Sequence, residues 1–153
     1  MKAIFKFQSK PVSINNFYYA DKRHGIREEG RDWQFHLFSE LAKSPNKEII
    51  QNLKSKFNPS VNGYKVAITY AAPASTFYNK TGKLSSRQID LSNCEKSLID
   101  VFFLPKYNGT YGSDNLNIDD KWLVELSSRK TVSTDEHYYT TVQIEIVALP
   151  VIS

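Results

Sequence analysis

The pattern of apolar and polar positions predicts a chain in which strands and helices are mixed. Residues 2–8 and Tyr64–Tyr70 alternate between apolar and polar side chains, as half-buried β-strands do. Two more strands are predicted near the end, at Trp122–Arg129 and Tyr138–Val147. The apolar tail Ala148–Ser153 is expected to pair with a sheet edge or with a second subunit.

Two helices are predicted between the first two strands, because apolar residues recur there three and four positions apart. The first begins near Arg31 and ends at Pro45, and the second covers residues 46–57. We therefore expect a mixed α/β fold in one domain over residues 1–153. In this fold a small mixed sheet of about four strands is packed by two or three helices.

A third helix is predicted after a polar loop that extends to Gln88. One face of this helix is apolar and consists of Leu91, Cys94, Leu98, Val101 and Phe102. Ser92 and Glu95 match the S-x-x-E capping box, so the helix is expected to begin at Ser92. Pro105 follows the apolar run and is expected to end it.

Composition and charge narrow the function only slightly. The chain has 20 Lys and Arg against 16 Asp and Glu, a net charge of +4 that is compatible with a nucleic-acid partner. The single cysteine, Cys94, has no partner for an internal disulfide and is expected in the core. The chain has no apolar run of membrane-spanning length, no signal-peptide core, and no nucleotide-binding or serine-hydrolase motif. We therefore expect a cytoplasmic protein without a nucleotide cofactor.

Acidic residues on both sides of the third helix are the strongest chemical signal. Asp90 lies just before the positive N-terminal end of the helix, where anions and phosphates are favoured. Asp119 and Asp120 follow on a later loop, and Lys96 lies on a polar face of the helix. Hard cations such as Mg²⁺ take oxygen ligands of this kind, together with water and phosphate. The simpler alternatives are a turn residue at Asp90, solvated loop carboxylates at Asp119 and Asp120, and a solvated helix lysine at Lys96.

Four sequence elements together resemble the RusA family of Holliday-junction resolvases. The first loop carries Ser13, Asn15-Asn16 and Tyr18-Tyr19, and a Glu29-Gly30 pair with Trp33 enters the first helix. The run Asp90-Leu-Ser-Asn-Cys-Glu-Lys96 is similar to the family's D-[LI]-D-N-x-x-K motif, and Ile118-Asp119-Asp120 to its later Asp-Asp element. The order and approximate spacing of these elements resemble the family over most of the chain.

The resemblance implies specific roles for the residues at matching positions. Asp90 and Asp120 match acidic metal ligands, and Asp119, next to Asp120, is expected to be a further metal ligand. Lys96 matches a lysine that acts on phosphate or on the attacking water. The implied activity is cleavage of Holliday junctions or related branched DNA by a Mg²⁺-dependent homodimer, with Mn²⁺ as a substitute. The family's bacterial and prophage members imply a role in DNA recombination and repair in a bacterium or a phage-infected cell.

A second group of residues is expected to contact DNA. Basic side chains of the first loop would neutralise phosphates, and its aromatic side chains would stack on exposed bases. The expected DNA-binding residues are Asn16, Tyr19, Lys22, Arg23, Arg27, Arg87 and Asn93. The alternative for the first loop is an ordinary solvated loop with core aromatics.

Ser92 departs from the family pattern, which has a second aspartate at this position. A neutral hydroxyl is a poorer ligand for a hard cation, although Asp119 or Glu95 would compensate if either side chain pointed inward. The basic run before Asp90 is also thinned. These departures keep open a second reading, in which the chain binds branched DNA or a protein partner without cutting. A third reading is an unrelated interaction domain that matches by coincidence.

Overall fold

The computed structural model describes residues 1–11, 28–85, 92–105 and 114–151. The strands in these ranges are β1 (Lys2–Phe7), β2 (Asn62–Ala72), β3 (Leu123–Val132) and β4 (Tyr139–Ala148). The helices are α1 (Glu28–Leu41), α2 (Asn46–Lys56), the short α3 (Ala74–Phe77) and α4 (Ser92–Phe103). A 3₁₀ helix at Asp120–Trp122 leads into β3. The predicted mixed α/β fold is confirmed.

The four strands form one mixed sheet in the order β1-β4-β2-β3. β4 is antiparallel to both of its neighbours, whereas β2 and β3 are parallel. Parallel neighbours need a crossover connection, and the connection between β2 and β3 contains α4. This β-α-β arrangement sets one face of α4 beside β3.

The hydrophobic core lies on one face of the sheet. Every second residue of β1 is buried, and β2 and β4 follow the same alternation. Phe102 of α4 is central, because its ring meets the rings of Phe5 and Phe7 edge-on at centroid distances of 5.3 and 6.1 Å. Cys94 is buried in this core, as predicted.

The ends of the first helix differ from the sequence prediction. α1 begins at Glu28, and Glu28 and Glu29 occupy its first turn, where acidic side chains favour the positive end of the helix. It ends at Leu41, before Pro45. Pro45 instead directly precedes α2, a position at which a missing backbone N–H costs little. The peptide bond between Ser44 and Pro45 is cis.

The C-terminal tail continues the line of β4. Ala148 pairs with Asn62 of β2, and the backbone N–H of Leu149 donates a hydrogen bond of 3.0 Å to the carbonyl of Val61. The tail therefore begins beside the central strand β2 and not at an edge of the sheet.

Among the helices in the described ranges, none combines the length and apolar character that a membrane crossing requires.

Candidate active site

A cleft of about 290 Å³ lies between α4 and the start of β3. Its lining combines three carboxylates, one lysine and three aliphatic side chains: Glu95, Lys96, Ile99, Asp100, Asp120, Leu123 and Leu126. Two of the predicted site residues, Lys96 and Asp120, are therefore brought together from distant parts of the sequence.

α4 supplies the cleft residues from one helical face. Positions 95 and 96 are followed three to five residues later by positions 99 and 100, so the two pairs lie one turn apart on the same side of the helix. The Nζ atom of Lys96 lies 3.7 Å from Oδ2 of Asp100. The Lys96 side chain is 62% exposed, whereas the Asp100 side chain is only 9% exposed. A buried carboxylate thus neighbours an ammonium group that remains accessible to a ligand.

Glu95 connects α4 to β3. Its Oε1 atom accepts a hydrogen bond from the hydroxyl of Ser128. Glu95 was expected to serve a capping box with Ser92. α4 does begin at Ser92, but the Glu95 carboxylate is engaged across the helix–sheet interface, because α4 packs against β3.

The segment before Asp120 is fastened to the C-terminal end of α4. The fully buried side-chain amide of Asn115 donates hydrogen bonds to the carbonyls of Val101 and Leu104, at 3.1 and 2.9 Å. Carbonyls in the last turn of a helix have no partner within the helix, so Asn115 satisfies groups that would otherwise be left open. Two backbone bonds, from Leu116 and Ile118 to Phe102 and Phe103, extend this attachment. The backbone just before Asp120 is therefore fixed relative to α4.

The start of β3 is also held from the opposite side. The indole N–H of Trp122 donates a 2.9 Å hydrogen bond to the carbonyl of Pro59. Gly63 of β2 lies very close to the start of β3. A Cβ atom at this position would be 2.7 Å from Cγ1 of Val124 and 3.1 Å from the carbonyl oxygen of Trp122. The glycine therefore permits the close approach of β2 and β3 beside the cleft.

Asp119 has a structural role in the same segment. Its Oδ1 atom accepts a 2.8 Å hydrogen bond from the backbone N–H of Lys121, and this bond caps the 3₁₀ helix. The side chain is exposed and does not line the cleft. The predicted metal-binding role of Asp119 stays a prediction.

Tyr70 of β2 lies beneath the first turns of α4. Its hydroxyl is buried and has no hydrogen-bond partner among the described residues. Burial raises the pKa of Tyr70 well above its usual range, and the neighbouring Cys94 and Glu95 add to the effect. The hydroxyl therefore stays protonated and neutral at any physiological pH.

The carboxylates of the cleft are hard oxygen donors, the ligand type that Mg²⁺ prefers. In the part of the chain that the structure describes, no group of three or more His, Cys, Asp or Glu side chains gathers closely enough to hold a metal ion. Mg²⁺ is commonly held by one or two protein carboxylates, with water and phosphate completing the shell. The donor chemistry of the cleft fits Mg²⁺, but the described residues alone do not form a complete cage.

Most of the other predicted site residues lie outside the described ranges. These residues are Asn16, Tyr19, Lys22, Arg23, Arg27, Arg87 and Asp90. Asn93 belongs to the first turn of α4. Their predicted roles in metal and DNA binding stay predictions.

Sequence reasoning did not assign a site role to Asp100 or Asn115. Asp100 carried a usable signal, because it follows Lys96 by four positions and falls on the same polar face. The sequence gives no such signal for Asn115, because this residue lies in a polar segment and its importance depends on burial against the end of α4.

A scan of protein-family models and a search of curated proteins found no match to this chain.

Proposed function

We propose that this chain is a metal-dependent endodeoxyribonuclease that cuts Holliday junctions or related branched DNA. The observation that supports this function is the cleft in which Lys96 of α4 and Asp120 before β3 lie together, with Glu95 and Asp100 beside them. An accessible cation next to several carboxylates suits a phosphodiester and the hard cation that accompanies it.

Lys96 would hold the scissile phosphate. The Asp100 carboxylate, 3.7 Å from Nζ, keeps the ammonium group over the cleft, and the exposed side chain leaves its other donors open to a phosphate oxygen. An ammonium in this position stabilises the negative charge that develops as water attacks phosphorus. The aliphatic side chains of Ile99, Leu123 and Leu126 limit water on the remaining walls.

Asp120 and Asp90 would hold Mg²⁺, with Asp119 or Glu95 as a further oxygen donor. Bound Mg²⁺ supplies activation of a water molecule and stabilisation of the leaving oxygen. Asp90 lies two positions before the first residue of α4 in the sequence, and Asp120 lies beside the same helix. Mn²⁺, which also prefers oxygen ligands, would substitute.

The DNA partner would be branched and the enzyme a homodimer. A four-way junction presents two symmetric strands, and a two-fold protein can offer one site to each. Basic residues of the first loop would contact the backbone with little sequence preference, since phosphate contacts position a protein without specifying sequence. A cytoplasmic role in recombination and repair in a bacterium or phage-infected cell belongs to this proposal.

Cleavage of a labelled four-way junction tests the proposal. The assay compares wild-type protein and Asp120→Asn in Mg²⁺, Mn²⁺ and EDTA, with a linear duplex of the same sequence as the control substrate. We expect paired symmetric nicks on the junction, none on the duplex, and a rate at least 100-fold lower for Asp120→Asn. Equal cutting of junction and duplex, or equal rates for the two proteins, would reject the proposal.

A second candidate function is binding of branched DNA without cutting. It is favoured by the engagement of Glu95 with Ser128 and by the neutral residue Ser92 in the sequence position of an acidic ligand. Ser92→Asp separates the two functions. A true nuclease stays folded and cuts at the same rate or faster, whereas a binding protein is inactive as wild type and gains cleavage only in the variant.

A further inference from the structure

A small hairpin projects after α3. Tyr78 and Leu84 pair as an antiparallel bridge, and the backbone N–H of Ser85 returns to the carbonyl of Phe77 with a 2.6 Å hydrogen bond. We call residues 77–85 the Tyr78–Leu84 hairpin. The sequence pattern predicts only a polar loop in this region.

The tip of this hairpin is held by the side chain of Asn79. Its Oδ1 atom accepts hydrogen bonds from the backbone N–H groups of Thr81 and Lys83, both at 3.0 Å, and from the Thr81 hydroxyl at 2.6 Å. Gly82 adopts a φ of +80°, which residues with a Cβ rarely adopt. The turn is therefore a defined structure, and it fixes the backbone that carries the two tip lysines, Lys80 and Lys83.

The hairpin exposes two kinds of side chain, an apolar pair and two lysines. Tyr78 is 47% exposed and Leu84 is 67% exposed. Residues paired directly across two strands project to the same side, so these two side chains form one apolar pair. Lys80 and Lys83 are exposed at the tip beyond them.

The stretch of sequence that contains the hairpin is basic. No acidic residue occurs between Glu48 and Asp90, whereas six basic residues do: Lys54, Lys56, Lys65, Lys80, Lys83 and Arg87. The base of the hairpin also meets a cation, because Nζ of Lys130 lies 5.9 Å from the ring centroid of Phe77. β3 carries Lys130 towards one end, and Asp120 of the cleft precedes its other end. The hairpin and the cleft thus lie near opposite ends of the same strand.

From this arrangement we propose that the Tyr78–Leu84 hairpin is a DNA-contacting element that gives the protein its preference for branched over linear DNA. Lys80 and Lys83 contact backbone phosphates, and the apolar pair packs against a base that is unpaired at the branch point. Exposed aromatic side chains stack on bases of any sequence, whereas a base inside an intact duplex must first be unstacked at a cost in free energy. This inference rests on the proposed function for the identity of the DNA.

Binding of a fluorescent four-way junction tests the lysines, with all variants made in an Asp120→Asn background so that the DNA stays intact. Lys80→Gln/Lys83→Gln should weaken junction binding about tenfold. It should also lower the slope of log Kd against log salt concentration by about 1.8, because each lost phosphate contact removes about 0.9. The control is Lys54→Gln/Lys56→Gln, which makes the same charge change on α2. If the two double variants weakened junction binding equally, the loss would come from net charge alone, and the inference would be overturned.

The apolar pair is tested by Tyr78→Ser/Leu84→Ser in the same background. Junction binding should weaken about tenfold and linear-duplex binding less than twofold, with no change in the salt slope. Loss of equal size on both DNAs overturns the inference. So does a change from dimer to monomer in light scattering that accounts for the whole loss, since the pair would then contact a second copy of the chain.

The readouts separate this inference from the proposed nuclease. If wild-type protein binds junctions without cutting them, the nuclease proposal fails and the hairpin variants still decide the inference. If wild-type protein cuts junctions and the hairpin variants match their control, the inference alone fails. If the protein binds no DNA, both fail.

Discussion

The ammonium group of Lys96 lies 3.7 Å from the carboxylate of Asp100, one helical turn further along α4. The two side chains differ sharply in exposure, since the lysine is mostly open to solvent and the aspartate is mostly buried. An ordinary surface pair of this spacing contributes little to stability. In the proposed site, the buried carboxylate positions the accessible ammonium group at the mouth of the cleft.

Removing the Asp100 charge should therefore impair cleavage more than binding. For Asp100→Asn we predict about a tenfold lower single-turnover rate on a four-way junction, against about 100-fold for Lys96→Gln, with junction affinity within threefold for both. The control is Glu40→Gln, which removes the α1 carboxylate that pairs with Lys43 and should leave the rate unchanged. A normal rate for Asp100→Asn would contradict the positioning role.

Asn115 should be a main determinant of stability in the loop before the cleft. Asn115→Ala removes three hydrogen bonds: it leaves the carbonyls of Val101 and Leu104 without their side-chain partner, and it removes the oxygen that accepts from the backbone N–H of Asn117. We predict a loss of about 2 kcal/mol in the free energy of unfolding, measured by urea denaturation. Asn52→Ala on the exposed side of α2 is the control and should change it by less than about 0.5 kcal/mol. Equal effects would show that the buried amide is not needed.

Tyr70→Phe should not destabilise the protein at neutral pH. The hydroxyl is buried with no hydrogen-bond partner in the described ranges, so its removal takes away a desolvated polar group. We predict that the free energy of unfolding at pH 7 stays equal or rises by up to about 1 kcal/mol. A loss above about 1 kcal/mol would mean that the hydroxyl has a partner that the native state needs.

The same variant should change the alkaline limit of stability. The pKa of Tyr70 is raised in the folded state, so below pH 10 the residue is protonated in both states and contributes no pH dependence. Above pH 10 the unfolded chain loses the proton while the folded chain keeps it, and stability falls with rising pH. Tyr70→Phe should reduce that slope by about 1.4 kcal/mol per pH unit. Urea titrations at pH 9 to 11.5 measure this, and an unchanged slope would contradict the burial of the hydroxyl.

Gly63→Ala should strain the junction of β2 and β3. The new Cβ atom would lie 2.7 Å from Cγ1 of Val124, and overpacking of this kind costs about 1–3 kcal/mol. Thermal and urea denaturation measure the loss. Because Cγ1 of Val124 is the atom nearest to the new Cβ, adding Val124→Ala to the Gly63→Ala variant should recover part of the lost stability. Simple addition of the two single effects would contradict the proposed clash.

Much of the fold could be predicted because burial on one face imposes a repeating pattern. The alternation in β1 and β2 and the apolar stripe of α4 follow directly from which side chains meet the core. The ends of α1 were displaced because charge at its start and a proline that opens the next helix act within one or two residues. The Tyr78–Leu84 hairpin was missed because a turn held by one asparagine side chain leaves no periodic signal.

The cleft could be predicted only in part, for a related reason. Lys96 and Asp120 were chosen from a motif resemblance, and the fold does bring them to one cleft. Glu95 and Ser128, by contrast, meet because α4 packs against β3, and a single sequence gives no register for that contact. The hydrogen bonds of Asn115 likewise depend on the position of the C-terminal end of α4 in the fold, which a single sequence does not show.

A double-mutant cycle on the cleavage rate tests the central claim most directly, that Lys96 and Asp120 act at one nuclease site. Single-turnover cleavage of a four-way junction is measured for wild type, Lys96→Gln, Asp120→Asn and the double variant, with junction binding recorded alongside. We predict that each single change lowers the rate at least 100-fold, and that the double variant is within about tenfold of the slower single variant, because residues that act as a unit are not additive. A wild-type protein that does not cut, or rate losses that multiply in the double variant, would contradict the account.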